Sequence, residues 1–196
     1  MQTSALKIQI IIGSTREGRA GEKVGQWVKK LAETRRDFTS EYIDLKDWAL
    51  PFLTDPMPPS MGKYASEFTR RWSKKISGAD GYIFVTPEYN HGYSAVLKNA
   101  LDHVYQEWNN KPAAFVSYGG GAGGARAVEQ LRQVAVELQM APIREQVAIP
   151  IIWEAFDEGG MLKDAAGHKK KAENMFNQLV WWARALKAAR ENDRNV

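Results

Sequence analysis

"YIFVTPEYNHGYSAVLKNALDH", residues 82–103, runs from a strand through a turn into a helix. Tyr82-Ile83-Phe84-Val85 is a continuous apolar run, the pattern of a buried strand. Pro87 fixes φ at the strand exit and biases Thr86 toward extended geometry. A helix begins near Ser94 and carries Ala95, Leu97, Ala100, Leu101 and Val104 at helical spacing. Between them stand an acid, a ring, an amide and an imidazole, Glu88-Tyr89-Asn90-His91. A short strand-to-helix connection does not require that much chemistry.

The same unit recurs on either side. Leu6 to Ile12 is rich in β-branched residues, ends at Gly13 and reads as a strand. Glu22 to Thr34 is helical, with Val24, Trp27, Val28 and Leu31 in phase. Phe38 to Leu45 is a second strand. Trp48 to Met61 holds Pro51, Pro56, Pro58 and Pro59 and reads as a loop. Gly62 to Ser77 spaces Tyr64, Phe68, Trp72 and Ile76 four apart, a helix with one apolar stripe. Gly81 to Thr86 is the third strand, and Ser94 to Tyr105 the helix after it. Pro112 to Tyr118 is the fourth strand, Gly124 to Met140 a helix, Ile143 to Ile152 a fifth, irregular strand, and Ala165 to Asn192 a closing helix. This alternation predicts an α/β fold: a doubly wound five-stranded parallel sheet with helices on both faces. Flavodoxin-like order 2-1-3-4-5 and right-handed crossovers are expected. No repeat or linker interrupts the pattern, so residues 1–196 are expected to form a single domain.

Composition narrows the function. A charge of +4 comes from dispersed basic residues, and the densest run, His168-Lys169-Lys170-Lys171, opens a helix as a solvated face. Nucleic acid is not expected as a partner; anionic small ligands suit the charge better. No apolar run is long enough to span a bilayer, so no membrane association is expected. The start, Met1 to Lys7, shows no signal-peptide pattern, and cytoplasm is the expected location. Without cysteine, disulfides and thiolate chemistry are excluded. The three histidines, His91, His103 and His168, are too widely spaced to suggest a metal site.

In an open parallel sheet, ligands bind beyond the carboxyl ends of the strands where strand order reverses. Three distinctive loops fall there. Gly13-Ser14-Thr15-Arg16-Glu17-Gly18-Arg19-Ala20-Gly21 precedes a helix and supplies hydroxyls, guanidinium groups and glycines for an anion. It lacks the lysine and the metal-binding hydroxyl of a Walker A motif, which favours a metal-free monophosphate pocket. Tyr118-Gly119-Gly120-Gly121-Ala122-Gly123-Gly124 spells G-x-G-x-x-G, but after the fourth strand rather than the first. Its glycines let backbone approach a flat ligand closely. In the third loop, residues 88–90 present consecutive main-chain groups to a flat heterocycle, Tyr89 walls the pocket, and His91 reads as a turn-stabilising or rim residue. Lys98, Asn99 and Asp102 read as a polar helix face.

Taken together, Gly13-Ser14-Thr15-Arg16, Pro87-Glu88-Tyr89-Asn90-His91 and Val96-Leu97-Lys98-Asn99-Ala100-Leu101-Asp102 resemble the NADPH-dependent FMN reductase family, the flavodoxin-like group that includes quinone, chromate and azo-dye reductases. The resemblance covers roughly residues 6–145. It implies FMN held without covalent attachment and NADPH or NADH as co-substrate. Ser14, Arg16 and the run Arg19, Ala20 and Gly21 would hold the phosphate. Pro87, Glu88, Tyr89 and Asn90 would face the isoalloxazine ring. Ser117, Tyr118, Gly119, Gly120 and Gly121 would meet its pyrimidine edge. Two departures stand out: Arg19 where many members have serine, and Ser94-Ala95 where many have a Pro-Gly pair.

The function so implied is hydride transfer from NADPH through flavin N5 to a small acceptor, a quinone, flavin, azo compound or metal oxyanion, with ping-pong kinetics. No protein side chain is expected to be catalytic, because the flavin carries the chemistry. The alternatives are a flavodoxin-type electron carrier, against which the positive charge argues, and a flavin-free regulatory or interaction module. The resemblance also implies a homodimer or homotetramer. Trp181-Trp182 on the closing helix and Phe68 with Trp72 are the candidate contact surfaces.

Overall fold

The computed structural model describes residues 5–193. Most of the start, Met1 to Ser4, read for the absence of a leader, and residues 194–196 lie outside the described residues. Five parallel strands, β1 (Leu6–Ile12), β2 (Phe38–Asp44), β3 (Gly81–Pro87), β4 (Pro112–Tyr118) and β5 (Ala141–Ile149), form one sheet in the order β2-β1-β3-β4-β5. The expected order is the observed one. The helices are α1 (Gly21–Glu33), α2 (Leu45–Trp48), α3 (Glu67–Ser77), α4 (Ala95–Asp102), α5 (Ala125–Glu137) and α6 (Ala165–Asp193).

Side-chain alternation along buried strands splits the core in two. Ile8, Ile10, Ile12, Ile83 and Val85 pack against Val24 and Val28 of α1 and Phe176 and Leu179 of α6. On the other face Ile11, Tyr82, Phe84 and Phe115 meet Trp72 of α3, Leu97 of α4 and Leu131 of α5. All seven residues of β3 and of β4 are buried. That is why these strands read as unbroken apolar runs.

Several boundaries differ from the sequence pattern. The helix expected from Gly62 begins at Glu67, where Ser66 accepts from the Thr69 N–H and caps it. Residues 62–66 extend the proline loop, which also includes a 3₁₀ turn at Pro59–Met61. α2 was not signalled; Asp44 caps it through the Lys46 N–H at 2.9 Å. β5 stops at Ile149, because Pro150 follows and Ile151 adopts a positive φ. Trp181 and Trp182 lie edge to face, 5.2 Å between centroids, and both are exposed. Trp72 is fully buried, so it belongs to the core, whereas Phe68 is exposed.

Candidate functional site

β1, β3 and β4 are neighbours in the sheet, so the three loops that leave them meet at one rim. In the first loop Ser14 is buried, with its Oγ 3.1 Å from the Tyr118 hydroxyl. Gly21, the first residue of α1, sits directly against this pair. A Cβ at Gly21 would lie 2.4 Å from Ser14 Oγ and 2.4 Å from the Tyr118 hydroxyl oxygen. Glycine is therefore required there. α1 starts after Ala20, and no side chain caps it. An uncapped helix start offers its N–H groups and the positive end of its dipole to an anion. Burial pushes the Tyr118 phenol up to about 12, so it remains a neutral hydroxyl.

Arg19 is placed differently from a phosphate ligand. Its guanidinium turns inward, donating to Asp44 Oδ1 at 2.9 Å and to the Ser14 carbonyl, and it pairs with Asp44 Oδ2. The two side chains are 5% and 9% exposed. Asp44 reaches this loop because the last residue of β2 is in register with Ile12, the last of β1. Burial alone would lower the Arg19 pKa; the hydrogen bond and charge of Asp44 outweigh it, and the net shift is upward. Arg19 thus braces the loop with its charge already balanced. Arg16 is exposed on the same loop.

In the loop after β3, Tyr89 and Gly92 exchange backbone hydrogen bonds of 2.8 and 2.9 Å. Between them Asn90 has φ 50° and His91 φ 67°. Two left-handed residues in a two-residue turn are the type I′ pattern. Asn and His tolerate that region better than most side chains. Their identity answers to backbone geometry. The His91 carbonyl accepts from Gln130 Nε2 at 3.0 Å.

Pro87 pairs with Tyr118 across β3 and β4. Glu88 turns away from the rim toward α5. Its Oε2 accepts from the Arg126 N–H at 3.1 Å and its Oε1 from Arg126 Nε at 2.7 Å. Burial pushes this carboxyl up, but the hydrogen bond and charge of Arg126 and the N–H groups of Ala127 and Arg126 outweigh it, and the net shift is downward.

In the loop after β4, Ser117 is buried and its Oγ donates to the Gly123 carbonyl at 2.8 Å. Gly124 has φ 84°, and a Cβ there would lie 2.7 Å from Ser117 Cβ. The Gly119 N–H is satisfied by Ile149 O at 3.3 Å. The N–H groups of Gly120 and Gly121 have no backbone acceptor among the described residues.

A cavity of about 390 Å³ opens between Ser14, Arg16 and Tyr89 on one side and Leu50, Phe52 and Val96 on the other. Its far wall depends on Asn99, which the polar-face reading missed. Asn99 Oδ1 accepts from the Leu53 N–H at 3.2 Å, and Nδ2 donates to the Pro51 carbonyl at 2.9 Å. His103 Nε2 donates to the same carbonyl at 2.8 Å, while Nδ1 faces Thr69 Oγ1 at 2.9 Å. A loop of prolines without its own ladder needs such fastening, and that need was the available signal.

The model of the NADPH-dependent FMN reductase family matches residues 6–154. The chain belongs to that family. It is 42% identical over 180 residues to an NAD(P)H-dependent FMN reductase of Schizosaccharomyces pombe, covering 88% of this chain and 90% of that one. It is 30% identical to a probable NADPH:quinone oxidoreductase of Oryza sativa subsp. japonica, covering 98% and 96%. Among solved structures, FerB, a flavoenzyme NAD(P)H:acceptor oxidoreductase from Paracoccus denitrificans, superposes with a TM-score of 0.73 at 25% identity, covering 92% of this chain and 98% of that one. Membership makes the protein an NAD(P)H-dependent oxidoreductase of the FMN reductase type. The residues at the rim fit that cofactor: an uncapped helix start for a phosphate, a Gly21 cradle that a Cβ would fill, and, in the loop after β4, the Gly120 and Gly121 N–H groups with no backbone acceptor among the described residues.

Proposed function

We propose that this chain binds FMN at the β1, β3 and β4 rim and passes a hydride from NADPH or NADH to a small acceptor. The supporting observation is the uncapped start of α1 at the same rim as the Gly120 and Gly121 N–H groups, which have no backbone acceptor among the described residues. When bound, FMN would supply the two-electron carrier. The chain would bind, orient and shield it. The N–H groups at Gly21 and Glu22, with Ser14, Arg16 and Ala20, would hold the phosphate. Pro87, Glu88 and Asn90 would offer main-chain groups to the ring, and Tyr89 a side wall. Ser117, Tyr118 and Gly119 would shape the floor. The Gly120 and Gly121 N–H groups would favour negative charge at the pyrimidine edge.

The cavity beside Tyr89 is walled largely by Leu50, Phe52 and Val96. That suits a small, largely apolar acceptor such as a quinone. A shared face for NADPH and acceptor gives ping-pong kinetics. Phe52, Met57, Met61 and Phe68 are all exposed on and beside the loop that borders this cavity. Aromatic and Met side chains are enriched at subunit contacts, which supports a homodimer or homotetramer with the site near its interface. A cytoplasmic single-domain enzyme is the matching reading of the chain as a whole.

The test is an absorbance spectrum of protein loaded with FMN, before and after anaerobic NADPH. The flavin bands are expected to bleach, and a quinone to restore them. A protein that takes up no FMN would sink this reading. Parallel double-reciprocal lines are expected in steady state, and converging lines would rule out the shared face.

A further inference from the structure

Phe52 is the most exposed large apolar side chain among the described residues, at 79%, yet the chain that carries it is held in place. From Leu50 to Met57 the main chain makes no backbone-to-backbone hydrogen bond among the described residues. Its fixed points come from two side chains, Asn99 of α4 and His103, which follows the end of that helix. The Asn99 amide grips the chain on both sides of Phe52. Its Nδ2 donates to the Pro51 carbonyl at 2.9 Å, and its Oδ1 accepts from the Leu53 N–H at 3.2 Å. Nδ2 also reaches the Leu50 carbonyl at 3.4 Å, and His103 Nε2 donates to the Pro51 carbonyl at 2.8 Å.

α4 is a firm base for this clamp. Its Leu97, Ala100 and Leu101 are buried, and the Ala100 carbonyl accepts from the buried Trp72 Nε1 at 2.8 Å. Ordering a backbone segment lowers chain entropy, and an exposed ring returns little apolar burial to offset that. The clamp therefore fixes where Phe52 stands and adds little to the core. Phe52 and Asn99 both line the cavity of about 390 Å³ whose other side is Ser14, Arg16 and Tyr89. Where residues 50–53 stand thus sets the width of that cavity.

We propose that Phe52 is the specificity-determining wall of the acceptor cavity and that Asn99 is its positioning residue, acting on the acceptor through Phe52. The inference rests on the reductase reading above. It assigns the selection of flat acceptors of the quinone class to the proline loop rather than to the loops that would hold the flavin. An amide suits the task, because one planar group both donates to a carbonyl and accepts from an N–H. A carboxylate in its place would face the Pro51 carbonyl with no proton to give. Neither residue exchanges electrons or protons.

A double-mutant cycle in the full FMN-loaded chain tests it. Calorimetry with 1,4-naphthoquinone and oxidised protein, without NADPH, reads binding apart from turnover. Phe52→Ala is expected to raise the naphthoquinone Kd about tenfold. Asn99→Ala is expected to raise it about fivefold when Phe52 is present, and to change it by less than about twofold in the Phe52→Ala background. Urea unfolding supplies the contrast: the stability lost with Asn99→Ala should be equal in the two backgrounds, because the clamp holds the backbone in both. Asn99→Asp keeps the acceptor for Leu53 and removes the donor, and it should repeat the pattern where Asn99→Ala does not fold. Unchanged naphthoquinone binding in Phe52→Ala, equal Kd factors for the Asn99 variant in the two backgrounds, or a native mass altered by Phe52→Ala would overturn the inference. If wild type takes up FMN and bleaches with NADPH while the cycle shows no coupling, this inference alone falls. If wild type takes up no FMN, both fall.

Discussion

Three helices begin at this rim, and the first turns of two of them, α1 and α5, are treated in opposite ways. α1 starts after Ala20 with no side-chain cap. α5 starts after Gly124, also without a cap of its own, but Glu88 from the neighbouring loop accepts from the Arg126 N–H. One positive helix end is open to an external anion, and the other is occupied by the protein's own carboxylate. A phosphate at α5 would meet Glu88, whereas at α1 it would meet Ser14 and the exposed Arg16. The difference separates the end proposed to bind from the end that holds the loops together.

The largest expected effect comes from the buried pair that braces the open end. Arg19→Met leaves the Asp44 carboxylate buried without its partner, which costs about 3–5 kcal/mol. Urea unfolding measures the loss. The double variant Arg19→Met with Asp44→Leu should recover most of it, because no lone charge is left. If the single variant unfolds like wild type, the pair does not brace the loop.

Gly21→Ala comes next. The new Cβ would stand 2.4 Å from two oxygens, Ser14 Oγ and the Tyr118 hydroxyl. Overpacking of this kind costs about 1–3 kcal/mol. FMN affinity, read by flavin fluorescence, should fall at least about tenfold, because the cradle and the helix start move together. Full FMN affinity in a folded Gly21→Ala protein would remove the cradle from the site.

Glu88→Gln acts on the closed end and should cost about 1 kcal/mol, the scale of a helix cap. FMN affinity should change little, since the carboxylate is spent on α5. The sign with pH follows from the shift. The folded Glu88 carboxyl titrates below its ordinary value of 4.5. Its contribution is complete above that ordinary value and is lost as pH falls through the lower folded value. The stability gap between wild type and Glu88→Gln should therefore shrink on acidification below pH 4.5. A gap that widens toward acid would contradict this assignment.

The sheet was legible because its signal is local. Buried parallel strands such as Tyr82 to Val85 are apolar without alternation, and alternating strands and helices leave few ways to order them. The three loops drew a ligand reading because Gly, Pro and consecutive polar residues fall where strand ends converge. What the side chains do was less so. Arg19 reads as a phosphate ligand until Asp44 is brought beside it by the β1–β2 register. Glu88 meets Arg126 and Asn99 meets Pro51 across gaps of 38 and 48 residues. No short-range pattern encodes these meetings. The helix expected from Gly62 was overcalled because Tyr64 shares the phase of Phe68 and Trp72, yet its hydroxyl is drawn 2.8 Å from Glu107.

The smallest effect tests whether a conspicuous histidine has any chemical role. His91 has φ 67° and follows Asn90 at φ 50°. Asn-Gly is the favoured pair for such a turn. His91→Gly removes the left-handed penalty but adds unfolded-chain entropy, so stability should shift by less than about 1 kcal/mol. The backbone bonds between Tyr89 and Gly92 remain available, and so does the carbonyl that accepts from Gln130. FMN affinity and turnover should match wild type. A loss of turnover with FMN still bound would return His91 to the chemistry. It would also mean that the loop after β3 acts through a side chain rather than through the backbone geometry that separates it from the charged loop after β1.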